Sequence, residues 1–162
     1  MNQFQYIIFL LATYAGLLAG VVISHMTKEE LTPGKKYFYA IKAIIFTIII
    51  YNFSYYMLKD IVLSSVISFF GGLLSYFLER WFKVINADIF FYSFFAVIVY
   101  ETRNSEYSAI IGSLVFLFGL VSASVKSEGI KSERLFIKIK DILPENIIYL
   151  IMGLLLSFVF KT

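Results

Sequence analysis

Long apolar segments alternate with short polar segments along the whole chain. A helix needs roughly 20 apolar residues to cross the core of a bilayer. Six segments approach this length, and polar residues separate each from the next. The pattern therefore predicts an all-α fold, a polytopic membrane helical bundle that forms a single transmembrane domain over residues 1–162. The six predicted spans cover residues 6–26, 37–56, 61–78, 84–100, 107–125 and 145–160.

The boundary between the second and third spans depends on one dipeptide, Lys59-Asp60. A single helix through both spans would place these charges near the bilayer centre, at a cost of at least about 2.5 kcal/mol for each. The sequence therefore predicts a break here, although neither Gly nor Pro is present to make the turn.

The composition is that of a membrane protein rather than of a soluble domain. Of the 162 residues, 60% are hydrophobic and only 15% are charged, whereas about a quarter of the residues in a soluble domain are charged. The chain has no cysteine and one histidine, which excludes disulfides, Cys-ligated metals and multi-His metal sites within it. We expect no metal and no cofactor.

Basic residues are distributed unevenly among the polar segments. If six spans alternate in direction, residues 27–42, 79–83 and 126–144 lie on one side and carry 11 of the 14 Lys and Arg residues. Such an excess is typical of cytoplasmic loops. We therefore expect cytoplasmic loops at 27–36, 79–83 and 126–144, with both termini outside a cell membrane that the chain crosses several times. The basic side suits anionic lipid headgroups better than nucleic acid.

Small residues recur at helical spacing within the predicted spans, and Gly16 and Gly20 form a GxxxG motif. Small side chains on one face allow two helices to approach closely. We therefore expect spans one, three, five and six near the centre of the bundle and the bulkier spans two and four nearer lipid. The same glycines would also suit a homo-oligomer interface. The helix-packing candidates are Ala12, Gly16, Gly20, Ser24, Ser68, Gly72, Gly112, Gly119 and Gly153.

The first predicted cytoplasmic loop has the pattern of an ordered connection. Thr27 and Glu30 fit a capping box, and Pro33-Gly34 fits the centre of a type II turn. Either a simple helix connection or a binding surface for a headgroup or partner is consistent with this pattern. The candidate contacts here are Lys28, Lys35 and Lys36.

The segment 126–144 predicts a short basic amphipathic helix. It would lie on the inner leaflet or serve as a docking site for a cytosolic protein, although residues 137–140 also alternate in the manner of a strand. Pro144 is expected as an early residue of the last span. The candidate headgroup or partner contacts here are Lys131, Arg134 and Lys138.

Three polar residues in or near the spans are candidates for an ion or polar site. Asp88 lies about one turn inside the fourth span, Asn52 lies late in the second, and His25 lies at the inner end of the first. Ionisable residues inside a membrane often mark ion or substrate pathways. For Asp88 we favour the simpler interpretation of an acid at a helix N-terminus, where the dipole stabilises its charge, and the other two residues suit the membrane interface.

The chain has no recognisable catalytic motif or nucleophile with a partnered base. We therefore expect a protein that is not an enzyme: a membrane-embedded scaffold or complex subunit that binds membrane lipids or a membrane or cytosolic protein. The alternative is a small transporter or channel, as a monomer or a homo-oligomer. A third hypothesis is a lipid-modifying enzyme that uses Glu29 or Glu30.

Overall fold

The computed structural model describes residues 1–81, 87–130 and 134–159, and these residues form seven α-helices without a strand. This confirms the prediction of an all-α chain. The helices are α1 (Gln3–Met26), α2 (Lys28–Leu58), α3 (Ile61–Trp81), α4 (Ala87–Thr102), α5 (Ser108–Gly129), α6 (Leu135–Glu145) and α7 (Ile148–Val159).

Several of these helices can cross a membrane. Within the described residues, α1, α2 from Tyr37, α3 to Leu78 and α5 are long and apolar enough to do so. Helices α6 and α7, bent by 42° at a short break, make a fifth span if they are counted as one. Helix α4 has 16 residues, which is shorter than the usual length of a spanning helix. The structure therefore supports four or five spans by length and composition.

Helices α1 and α5 run parallel, and their contact is the most extensive between two helices in the described part of the structure. A Cβ built on Gly16 would lie 2.1 Å from the carbonyl oxygen of Phe116, and one on Gly20 would lie 2.2 Å from that of Leu120. The hydroxyl of Ser124 donates to the carbonyl of Gly20 at 3.0 Å. The GxxxG motif thus lies where the two backbones meet.

The rest of the small-residue set divides between buried and exposed positions. Ser24 is buried and donates to the hydroxyl of Ser127 at 2.6 Å, whereas the side chain of Ala12 is exposed. From Ala12 to Ser24 there are three steps of four residues, and over these steps the direction of the side chains rotates by about 120° around the helix axis. Residues at this spacing therefore cannot all contact the same neighbouring helix. Gly112 and Gly153 are buried against side chains of α1, and Gly119 is buried against the hydroxyl of Tyr92 and the backbone of α1.

The expected order of the helices from centre to periphery is wrong for α3 and α4. Helix α4 is in the core, with buried side chains from Phe91 to Tyr100. Helix α3 packs mainly against α2, through Ser68, Gly72 and Ser75, which are buried. Its other faces are exposed and apolar. Small residues identify a close contact, but they do not tell how many helices surround the helix that carries them.

The connection between α1 and α2 also differs from the prediction. Helix α2 begins at Lys28 and continues through Pro33 and Gly34, and no described glycine has a positive φ, so the type II turn is wrong. Thr27 makes no side-chain cap. Glycine also accepts helical dihedral angles, and Pro33, the sixth residue of α2, removes one backbone hydrogen bond without ending the helix. Pro-Gly therefore did not force a turn.

The predicted break at Lys59-Asp60 is confirmed. Helix α2 ends at Leu58, and Lys59 adopts the left-handed conformation with φ 55°. The carboxylate of Asp60 then accepts a hydrogen bond from the backbone N–H of Leu63 at 3.0 Å. This is the geometry of an N-cap, which satisfies one of the free donors at the start of α3.

The last part of the chain forms two helices, α6 and α7, with a bend of 42° between them. Pro144 lies inside α6, not in the following span, and α7 begins only at Ile148. The predicted amphipathic helix exists as α6, but it packs against α1 and α5. Lys138, predicted as a headgroup or partner contact, is consequently buried, with 3% of its surface exposed.

Candidate functional site

A buried ion pair joins three helices in the interior of the bundle. The ammonium of Lys42 on α2 donates to Oδ1 of Asp88 on α4 at 2.5 Å, and their side chains are 6% and 17% exposed. The hydroxyl of Ser122 on α5 donates to the same carboxylate oxygen at 3.0 Å. We refer to Lys42, Asp88 and Ser122 as the polar centre.

The positions of these residues along their helices explain how the two charges are stabilised. Asp88 lies in the first turn of α4, where the helix dipole favours a negative charge. Lys42 lies five residues beyond Tyr37, at which the apolar part of α2 begins, so it is about 7 Å inside that segment. The carboxylate therefore provides a counter-charge to an ammonium that the apolar surroundings would otherwise disfavour.

Aromatic rings surround the ammonium of Lys42. The nitrogen lies 5.0 Å from the ring centroid of Phe118 and 5.8 Å from that of Phe91. These two rings pack edge to face with each other, and both pack against Phe46. Ring faces attract a cation, and a dry aromatic environment strengthens each charge interaction. The polar centre thus combines one carboxylate with aromatic faces.

The buried hydroxyl of Tyr92 and the buried Oδ1 of Asn146 form no hydrogen bond with the described residues. Tyr92 lies one helical turn after Asp88, and its hydroxyl lies beside Gly119 without a partner. Asn146, at the break between α6 and α7, uses its amide N–H on the carbonyl of Ile142, but its Oδ1 has no partner. Leaving such an atom unpaired costs about 1–3 kcal/mol. Water or a polar solute would satisfy both atoms.

The hydroxyl groups of Thr13 and Tyr149 are paired with each other at 2.5 Å. The ring of Tyr149 lies 5.9 Å from that of Tyr92. Tyr14 donates to the carbonyl of Leu143 at 2.6 Å. Polar groups of α1 and α4 therefore face the helix break, which is where a membrane protein can expose backbone groups to a solute.

A groove opens between α2, α3 and α4, next to the polar centre. Its volume is about 200 Å³. Phe46 and Phe91 form part of its wall and also belong to the aromatic surroundings of Lys42. The lateral groove is lined by Phe46, Ile50, Ile67, Gly71, Leu74, Ser75, Leu78, Phe90, Phe91 and Phe94.

The structure brings one of the three polar candidates into this site. Asp88 is at the polar centre, but its partner is Lys42, which the charge distribution had assigned to a cytoplasmic segment. Asn52 bonds back to the carbonyl of Ile48 in its own helix at 2.8 Å. The buried Nδ1 of His25 has no hydrogen-bond partner among the described residues.

Sequence reasoning missed Lys42 and Ser122. The available signal was a lysine inside the predicted span 37–56. Serine is too common in membrane helices to be distinctive, so nothing in the sequence singled out Ser122.

The predicted surface contacts are only partly described. Arg134 is exposed at the start of α6. Lys131 and the side chains of Lys28, Lys35 and Lys36 lie outside the described part of the structure, as do those of Glu29 and Glu30. The described residues contain no group of three or more His, Asp or Glu side chains that could hold a metal ion.

Comparisons with models of protein families, with curated proteins and with solved structures gave no match for this chain.

Proposed function

We propose that the protein is a multi-pass integral membrane protein that moves a small solute across the membrane, and that the polar centre lies on the route. The observation that carries this proposal is the pair of Lys42 and Asp88, buried among aromatic side chains inside the bundle. Ionisable residues in such positions are expensive, and in membrane proteins they commonly mark substrate or proton pathways.

Stability alone is a weak explanation for the ion pair. Apolar side chains of similar volume often replace a buried pair without loss, or with a gain of about 1–4 kcal/mol. The two unpaired atoms of Tyr92 and Asn146 also lower stability. A protein that keeps these groups in its core has a use for them, and transient contact with a polar solute is such a use.

The helix directions are consistent with six membrane crossings and both termini on the same side of the membrane. Helix α1 is parallel to α5, since Gly16 and Gly20 face Phe116 and Leu120 in the same order. Helix α7 runs against α1, with Gly153 near Tyr6. In this arrangement α4 is a short fourth span and α6 with α7 is a broken sixth span. Broken helices commonly form the substrate sites of transporters.

Accessibility of the polar centre to water tests this proposal without knowledge of the solute. The chain lacks cysteine, so Ser122→Cys would provide the only thiol. We expect a small charged thiol reagent to label this cysteine in proteoliposomes both when added outside and when trapped inside. A route that serves transport must open to each side in turn, and only a hydrated thiolate reacts readily.

Two control positions calibrate the labelling. Glu106→Cys, in the exposed connection before α5, should react from one side, and Leu117→Cys, on the exposed apolar face of α5, should stay unreactive because lipid covers it. If Ser122→Cys stays unlabelled from both sides while Glu106→Cys reacts, the transport proposal is wrong.

That outcome would favour the second candidate, a scaffold or complex subunit. Helix α3 supports it, because α3 packs mainly against α2 and presents exposed apolar side chains such as Phe69, Phe70 and Leu74 to the membrane. A partner helix or lipid would cover this face.

A further inference from the structure

We infer that the polar centre and the lateral groove together bind a hydrophobic ammonium ion, with its positive head on Asp88 and its apolar body between α2, α3 and α4. This inference rests on the proposed transport function and names the class of solute. Three features carry it: the environment of the Lys42 ammonium, the adjoining groove, and the flexibility of the lysine side chain.

The ammonium of Lys42 shows that this site accepts an alkylammonium group. It contacts the carboxylate of Asp88 at 2.5 Å and lies over the ring of Phe118 at 5.0 Å and near that of Phe91. A negative charge with aromatic faces is the combination that proteins use to recognise ammonium groups, including quaternary ones that cannot donate a hydrogen bond. The side chain of Lys42 is itself an alkylammonium group, and it occupies the position that the head of the ligand would take.

The lateral groove provides room for an apolar body attached to that head. Its volume is about 200 Å³, and an apolar cavity of about 150 Å³ already accommodates benzene. Ser75 provides the one hydroxyl among the ten lining residues. Phe91 lines the groove and its ring centroid also lies 5.8 Å from the ammonium of Lys42, so the groove adjoins the site of the ammonium.

Lys42 can leave the carboxylate without a change in the fold. Its charge is carried on a flexible four-carbon stem, whereas Asp88 is held close to the backbone of α4. A bound ammonium would therefore compete with Lys42 for Asp88, and the two would exchange during transport. An anion would have to displace Asp88 from Lys42, and Asp88 cannot swing away because its carboxylate is held close to the backbone of α4.

Three probes separate charge from apolar character. Binding to the purified protein in nanodiscs of zwitterionic lipid would be measured by calorimetry. The probes are hexyltrimethylammonium, hexanesulfonate and tetramethylammonium. Hexanesulfonate has the same hexyl tail with the opposite charge, and tetramethylammonium has the charged head without the tail. We expect hexyltrimethylammonium to bind at least about tenfold more tightly than either of the others, a difference of about 1.4 kcal/mol. Equal binding of hexanesulfonate would overturn the inference.

Variants of the ion pair give opposite expectations. Asp88→Asn should weaken binding of hexyltrimethylammonium at least about tenfold, because the counter-charge is lost. Lys42→Met should strengthen binding by about tenfold, because it removes the competitor and leaves a buried carboxylate without its ammonium. Weaker binding by Lys42→Met would contradict the competition. A purely structural role for the pair gives no reason for one change to raise affinity.

A variant away from the ion pair guards against misfolding of Asp88→Asn. Gly71→Leu should fill the groove and weaken binding, since Gly71 lines it and a Cβ there meets only ordinary contacts, the nearest at 3.7 Å from Ile50. Gly129→Leu is the matched control, because nothing lies within 4 Å of its Cβ position. Equal affinity in the two leucine variants would argue against the groove.

The outcomes also separate this inference from the transport proposal. If Ser122→Cys is labelled from both sides and no probe binds, transport stands and the solute class is wrong. If hexyltrimethylammonium binds but the cysteine of Ser122→Cys stays unlabelled from both sides, the binding site exists and the transport proposal is wrong.

Discussion

Single residues in this protein are constrained most strongly where backbones or charges are brought together without space to move. Gly16 and Gly20 lie against carbonyl oxygens of α5, and Lys42 and Asp88 neutralise each other in an aromatic environment. The backbone carbonyls are held by their own helix, and the carboxylate of Asp88 is held close to the backbone of α4, so none of these groups can move away. The flexible side chain of Lys42 is the mobile member of the ion pair.

Gly16→Ala should lower the stability of the protein. The new Cβ would lie 2.1 Å from the carbonyl oxygen of Phe116, and overpacking of this kind costs about 1–3 kcal/mol. Gly129→Ala is the control, since its Cβ position is open and Ala favours a helix over Gly by about 1 kcal/mol. Thermal unfolding in detergent micelles would measure both. A Gly16→Ala protein as stable as the parent would show that α1 and α5 are farther apart.

At the scale of elements, α3 differs from the other long helices because α2 provides most of its contacts. The contact depends on a few small residues. Gly72 is the tightest, since a Cβ there would lie 1.9 Å from Oγ1 of Thr47. The exposed apolar faces of α3 are consistent with lipid as their surroundings, and its attachment to the bundle is a hairpin with α2 rather than insertion into the core.

Gly72→Ala should therefore loosen α3 specifically, and Thr47→Ala should restore it in the double variant. The clash is with a side-chain hydroxyl, so removing that hydroxyl makes room for the new methyl group. We expect a loss of about 1–3 kcal/mol for Gly72→Ala, most of which returns in the double variant. Unfolding of the two single variants and the double variant in detergent gives the interaction free energy between the two substitutions. Faster proteolysis at the connection between α2 and α3 would show that the hairpin is the part of the protein that opens. Additive losses would mean that the residues are not in contact.

At the scale of the whole molecule, the two ends of the bundle differ in chemistry. At one end the N-terminal ammonium donates to Oδ1 of Asn104, and the ammonium of Lys59 lies over the rings of Tyr56 and Tyr107. At the other end Lys126 pairs with Glu145. Aromatic residues with a polar tip suit the membrane interface, so the tyrosine-rich end is expected to lie at one surface of the membrane.

Single cysteines at the two ends test the orientation. Lys59→Cys should react with an impermeant thiol reagent added to intact cells, and Thr27→Cys should react only after lysis, because the basic side of the chain is expected in the cytoplasm. The parent protein, which lacks cysteine, is the background control. Labelling of Thr27→Cys in intact cells would reverse the orientation, and labelling of both would contradict an odd number of crossings between them.

Much of the architecture was predictable because it depends on local properties of the chain. Apolar runs of a given length form helices that lipid can surround, and the charges of Lys59-Asp60 could not be buried in one long helix. The GxxxG motif likewise indicated a close contact from spacing alone. The expected position of Pro144 in the last span was wrong, because Pro144 lies inside α6, and the end of α6 depends on how this helix packs.

The sequence by itself determined that this protein is helical, apolar and divided where Lys59-Asp60 interrupts it, since these features follow from hydropathy and spacing. Only the tertiary structure decided that Lys42 pairs with Asp88, that Ser122 joins them, and that α4 rather than α3 lies in the core. Those outcomes depend on how the helices pack, because Lys42 and Ser122 are separated from Asp88 by 46 and 34 positions in the sequence. The spacing of residues along the sequence shows which side chains share a helix face, but it does not show which other helix will pack against that face.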